Sequence, residues 1–477
     1  MTVSTRSVHE QQQPVDESRG AESRRRHAYL FVTVTALVIF VAILPDAGRF
    51  SLFVLAVGAV FVSGFCLLAV ARNAERGVWS AQLISLLVLM IFHLGALPEF
   101  LYTDTAALAP VERFIHQPEA ATAAWLAMTC ALAFTFGCLM VDRGAIARPP
   151  HHKDLPSASL FQRMVADVGS ALALVSMAAW GLFALRAGLG FGSTYQDYLQ
   201  ARAQAPLQLI YYGLAVGVVF AALERRRLLP RLAMVAFAGF IVLAFPLGLR
   251  GEVLFPLAAV SIVLGAQRRM PRPRVLAIAV VALLVPIGIV SDTRQGASLE
   301  PDQVVTAPTR ALSEMGGSLA VVHATVTWHD TKGEPFYQGA TYLAPINDAF
   351  VRYALRQSPT PESQNPNHMS TQIAIRVGNV GGSVIGEAYN NFAVPGALVI
   401  MFAWGWGLAR LNRVASRGGA WLILTATTSL VFQMLVRNSF ASTPSVLLIT
   451  ALVLAPAWLL GRAGSARARH SAGDLVR

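Results

Sequence analysis

The chain has 477 residues, 55% of them apolar and only 13% charged, against roughly a quarter charged in a soluble domain, which excludes a water-soluble architecture for most of its length. Its formal charge of +12 does not mark a nucleic-acid binder. The basic residues punctuate apolar runs, as at Arg24-Arg25-Arg26, Arg225-Arg226-Arg227 and Arg268-Arg269, instead of clustering on one face, so no nucleic-acid partner is expected.

Residues 1–27 are polar and are predicted to form a disordered cytoplasmic tail. The apolar run that follows has no small-residue cleavage site and reads as a retained signal anchor. Windows long enough to cross the hydrocarbon core then recur, at 28–44, 50–71, 79–97, 119–141, 165–187, 206–223, 230–249, 252–266, 274–291, 389–410, 419–436 and 443–460. The run at 252–266 is short and carries Pro256, which predicts a broken or tilted helix. The fold expected is all-α, a polytopic membrane protein with about 12 transmembrane helices, nine of them in 28–291 and three in 389–460, with 461–477 as a cytoplasmic C-terminal tail. Cys66, Cys130 and Cys138 all lie inside apolar runs and read as small packing residues.

Arginine placement sets the expected orientation. The connections holding Arg72 and Arg76, Arg143 and Arg148, Arg225 to Arg227, Arg268 to Arg274, and Arg410 to Arg417 fall on one side, while the alternate connections carry Arg49, Arg113 and Arg437. Positive residues favour the cytoplasm, so both termini are expected there. Residues 292–388, between the ninth and tenth spans, become a large extracytoplasmic loop. Trp328, Phe336, Tyr337, Tyr342, Phe350 and Tyr353 give it enough aromatic area to fold or to rest on the membrane, with an amphipathic helix expected around 340–356.

Several polar residues stand where a membrane makes them costly. Arg250-Gly251-Glu252 lies between two spans with almost no loop around it; a guanidinium there binds an anion such as a lipid pyrophosphate, or snorkels, or pairs with Glu252. Arg437-Asn438 repeats the situation in the eleventh connection. Arg376 and Glu387 bracket IAIRVGNVGGSVIGEAYNNF, where a glycine-rich stretch enters a helix, making Glu387 an arginine partner, a general base, or an acid favoured by the helix dipole. His368 in SQNPNHMSTQ is the base candidate among the histidines by position, or a solvent-exposed surface residue. No metal-ligand spacing, Walker loop, HExxH or GxSxG is present, and no metal or cofactor is expected.

LGLRGEVLFP, the large late loop, GGSVIGEAYNNFAVPG and LVRNSF together resemble the Wzy-type O-antigen polysaccharide polymerases (oligosaccharide repeat-unit polymerases). The resemblance is best over spans seven to twelve, and Ala393 stands where relatives often carry glycine after the phenylalanine. It implies a metal-independent glycosyltransferase of the bacterial cytoplasmic membrane. Such an enzyme extends a polysaccharide from undecaprenyl-diphosphate-linked units, with a flippase and a chain-length regulator as expected partners beside the membrane lipids. In that setting Arg250, Arg294, Arg376 and Arg437 would face the diphosphate, Glu387 or His368 would take the acceptor proton, and Glu252 and Asn391 would support them. A glycan ligase shares the same plan. A secondary transporter or a membrane scaffold are the competing classes, although no internal repeat favours transport.

Overall fold

A computed structural model describes residues 13–474 apart from 76, 104–108, 142–158, 191–192, 194, 203–206, 245–246, 269, 271–308, 359, 362–363 and 379. No strand occurs among the described residues. The principal helices are α1 (Gln13–Ile43), α2 (Leu52–Asn73), α3 (Ala81–Leu94), α4 (Pro118–Met140), α5 (Leu160–Arg186), α6 (Tyr195–Arg202), α7 (Gln208–Ala221), α8 (Leu228–Ala244) and α9 (Arg250–Ala266). They continue with α10 (Ser318–Val326), α11 (Ala340–Tyr353), α12 (Met369–Arg376), α13 (Val384–Val414), α14 (Gly419–Arg437) and α15 (Thr443–Asp474).

Seven helices among the described residues are long and apolar enough to cross a membrane: Glu22–Arg49, Leu52–Asn73, Pro118–Met140, Leu160–Arg186, Val384–Arg417, Gly419–Arg437 and Phe440–Leu459. Ala81–Leu94, Gln208–Glu224 and Leu228–Ala244 are apolar but shorter. The predicted run at 252–266 is α9, which keeps Pro256 inside its 17 residues. The run at 274–291, with Arg294 and the first part of the 292–388 segment, lies outside the described residues.

Local sequence explains several helix starts. Ser51, Ser80, Ser159 and Ser383 each accept a hydrogen bond from an amide three residues on, capping α2, α3, α5 and α13. Helix α13 begins at Val384, five residues earlier than the hydropathy window, because Ser383 supplies the cap. It is kinked at Phe392 and Ala393, where Ala393 holds φ +56°. That conformation costs a side chain little only when it is glycine, so the alanine here carries the bend that Pro395 follows.

Contacts between connections sort the helix ends into two groups. At one end Ala81 N donates to Asn412 Oδ1 (3.1 Å), Gln162 Nε2 to Leu223 O (3.2 Å), and Gly419 N to Gln162 Oε1 (3.1 Å). Arg227 pairs there with Asp167 and Arg413 with Glu75. At the other end His93 Nε2 meets Ser383 Oγ at 2.7 Å, His323 Nε2 meets Gln117 Oε1 at 3.1 Å, and Thr331 donates to Glu119 at 2.6 Å. The helical residues 309–315 and helices α10 to α12 cap this second end. The core between the ends is held by glycine seams. A Cβ on Gly137 or Gly405 would strike the backbone of α13 or α4 at Phe402 and Phe134, and Gly217 lies as close to Gly169 and Ala173 across α5 and α7. Small residues let membrane helices approach this closely, where apolar burial alone gives no drive to associate.

Candidate functional site

At the end capped by α10 to α12, five pieces of chain enclose a cavity of about 520 Å³. Its wall takes Gly248, Leu249, Gly251 and Glu252 from the start of α9, and Arg437 to Ser439 from the end of α14. Helices α6 and α7 add Tyr198, Arg202, Gln208, Tyr211 and Tyr212; α12 and the chain after it add Ser370, Ile373, Ala374, Gly378, Gly381 and Gly382.

The glycine pair explains how the chain reaches Arg437. Gly382 N donates to Arg437 O, and a Cβ on Gly382 would run into the backbone of Asn438 and Ser439. Gly381 holds φ +85°, open to glycine and hostile to other residues. The Arg437 guanidinium lies 5.5 Å from the centre of the Phe92 ring, a cation–π placement. Opposite it, α9 begins without any side-chain cap, after Leu249, so its first amides and its dipole favour an anion. Two arginines and a bare helix start therefore share the cavity with one carboxylate, Glu252. The aromatic wall is itself fixed: Tyr198 and Tyr211 hydroxyls are 2.8 Å apart, Trp180 Nε1 donates to Tyr211 at 3.0 Å, and Gln208 Nε2 donates to Tyr212 at 2.7 Å.

Of the residues singled out in the sequence, Glu252 and Arg437 line this cavity. Arg250 does not; its guanidinium pairs with Glu314, both side chains being only 12% and 14% exposed, while Leu249 and Gly251 on either side of it form the wall. Arg376 lies 3.9 Å from the Trp328 ring centre and pairs with Glu334, its Nη1 donating to Oε2 at 3.0 Å, which holds the Glu334 carboxyl below its usual range. Its helix α12 reaches the cavity through other residues. His368 is buried, with Nε2 2.7 Å from Asp348 Oδ2. Arg294 lies outside the described residues.

Glu387 and Asn391 are buried in a separate network. Thr341 Oγ1 donates to Glu387 at 2.9 Å and the Phe440 amide at 2.7 Å. Asn391 Oδ1 accepts from Gly339 N at 3.0 Å, and its Nδ2 donates to Thr341 Oγ1 at 2.6 Å. Between these two residues, Asn390 Oδ1 meets His329 Nε2 at 2.9 Å and Tyr389 donates to Asp330 at 2.6 Å. The EAYNNF stretch is thus a post on which the capping segment is fastened.

Sequence reading missed Arg202, Tyr198 and the Tyr211-Tyr212 pair. The signal was there in TYQDYLQAR, where Tyr198 and Arg202 are four apart on a short polar helix just before an apolar run. Among the described residues no three His, Cys, Asp or Glu side chains gather as metal ligands.

The family model described as O-antigen polysaccharide polymerase Wzy matches residues 28–462. The chain belongs to that family. The match extends across the amino-terminal half, where the sequence resemblance was hydropathy alone, and makes this a multi-pass membrane protein. Protein CapE of Staphylococcus aureus is 25% identical over 263 residues, which is 54% of this chain and 57% of CapE, so the chain spans little more than half the length of that relative. No solved structure matches.

Proposed function

We propose that this protein is a glycosyltransferase that polymerises undecaprenyl-diphosphate-linked oligosaccharide repeat units into surface polysaccharide, at the outer face of the cytoplasmic membrane and without a metal. Family membership supports the reaction class. The observation that carries the site is the convergence of Arg202, Arg437 and the uncapped start of α9 on one cavity beside Glu252. In the reaction an acceptor sugar hydroxyl attacks the anomeric carbon of the donor chain. The bond from that carbon to the lipid diphosphate breaks, and the diphosphate leaves with the electron pair. Arginine forks and helix amides meet the charge that develops on it. Glu252, the carboxylate that lines the cavity, takes the hydroxyl proton. Arg250 and Arg376 act from outside the wall, the first by fixing the start of α9 through Glu314 and the second by holding α12 against Glu334 and Trp328.

The orientation that fits places the arginine-rich end inside with both termini, twelve spans in all, and residues 292–388 outside, where a flippase delivers the substrate and a chain-length regulator has access. The test is purified protein with a lipid-diphosphate oligosaccharide in the presence of chelator. Chain growth is expected. Arg437→Ala is expected to lower it by about 100-fold or more, and Arg437→Lys to keep part of it, since lysine offers charge without the bidentate fork. Normal chain length from Arg437→Ala would overturn the diphosphate role, and labels placing 292–388 in the cytoplasm would overturn the site as a whole.

A further inference from the structure

Helix α11 is amphipathic in an unusual sense, because its outward face is the apolar one. Leu343, Ile346 and Phe350 recur at i, i+3 and i+7 and are 63%, 50% and 56% exposed. Thr341, Ala344 and Asp348 face the protein, Thr341 through Glu387 and Asp348 through His368. A soluble cap would present the opposite pattern.

We propose that α11 lies in the plane of the membrane, with Leu343, Ile346 and Phe350 seated at the boundary between headgroups and acyl chains. Three observations commit the face to lipid. First, α11 packs on the turn at Phe440–Ser442 and on the ends of α13 and α15, so it sits at the level where membrane helices emerge. Second, its apolar face continues onto the exposed perimeter of those helices. Tyr342 stacks on Phe392 at 6.2 Å, Phe392 is itself outward at the kink of α13, and Leu447 and Leu448 of α15 are exposed beyond it. Third, Arg352 and Arg356 are exposed at the carboxyl-terminal end of the helix, placed for anionic headgroups. The hydrogen bond from His368 to Asp348 ties α11 to α12, whose Ser370, Ile373 and Ala374 line the cavity. The seat of α11 therefore fixes the cavity at lipid height. This inference stands apart from the proposed reaction, since it concerns only how the cap meets the bilayer.

The test uses the full chain in vesicles of phosphatidylethanolamine and phosphatidylglycerol, with nitroxide labels on Leu343→Cys, Ile346→Cys and Phe350→Cys. Native Cys66, Cys130 and Cys138 are buried and withheld from the reagent. Lys332→Cys, on the exposed turn after α10, is the water-facing control. The three α11 labels are expected to collide several-fold more with dissolved oxygen than with a water-soluble nickel chelate, with the order reversed at Lys332→Cys. Nickel access at α11 equal to the control would overturn the proposal in favour of a water-exposed face. Protection from both reagents, or dipolar broadening between labels on separate copies, would overturn it in favour of a protein partner.

Discussion

Glu252 opens α9 and Glu387 opens α13, both in the first turn of a helix and both at the same end of the molecule. One lines the cavity and the other is enclosed, accepting from Thr341 and the Phe440 amide. A carboxylate entering an apolar helix must be answered by something, and these two are answered in opposite ways: Glu387 by groups of its own chain, Glu252 by an opening that it shares with arginines. Sequence spacing treats the two as equivalent. Donors from the capping segment and the Phe440 turn enclose Glu387, whereas Glu252 lies on the cavity wall.

Exchanging the two is the strongest way to break the comparison. Glu387→Ala orphans two buried donors and is expected to lower stability by about 4 kcal/mol, from the cost of unsatisfied buried groups, while Glu252→Ala changes it by less than about 0.5 kcal/mol. Thermal unfolding in detergent reads the first effect. For chain growth the order reverses among molecules that remain folded, Glu252→Ala losing activity and Glu387→Gln, which keeps an acceptor oxygen, retaining it. Equal loss of growth in both variants, with both folded, would erase the distinction.

Arg250 sharpens the same contrast. Removing its guanidinium breaks the mostly buried pair with Glu314, so Arg250→Ala is expected to cost about 3 kcal/mol. The double variant Arg250→Met with Glu314→Gln is expected to recover most of that stability. Failure to recover would mean that Arg250 has a second task at the cavity wall. Smaller again is Gly382→Ala, expected to cost about 2 kcal/mol as its methyl presses on Asn438 and Ser439. Because those residues carry Arg437, chain growth is expected to fall further than stability implies, which the ratio of the two measurements reports.

What the sequence made legible follows these lines. The apolar runs marked where helices lie, and arginine placement separated the connections into two sets, of which the described ones holding Arg72, Arg225 to Arg227 and Arg410 to Arg417 lie at the end away from Arg437. Arg437 and Glu252 were visible as charges stranded at a membrane boundary. Glu387 was visible for the same reason, His368 by its position in the outer segment and Asn391 through the family resemblance, but their partners, Thr341, Gly339, Phe440 and Asp348, lie 20 to 53 positions away, and such pairings are invisible to hydropathy. Arg202 was hidden by the reverse problem, a polar helix that looks like an ordinary loop until folding brings it to the cavity that α9 also lines.

The last expected effect appears only below neutral pH. Burial pushes the His323 imidazole down to about 4 from an ordinary 6.5, so the unfolded chain takes up a proton there before the folded one does. Stability is therefore expected to fall as pH drops from about 6.5 towards 4 and to be unaffected by this group above that window. His323→Gln is expected to flatten that stretch of the profile, measured as unfolding temperature against pH, and an unchanged slope would assign it to other groups.

The glycine seams divide the bundle into two stiff blocks. Helices α4 and α13 are locked backbone to backbone, as are α5 and α7, whereas α9 and α14 between them meet through ordinary side chains. Sliding within either block is forbidden by atoms that have nowhere to go. Any shift of one block against the other would pass through α9 and α14, which carry Glu252 and Arg437, and would change the separation of Arg437 from Arg202 across the cavity.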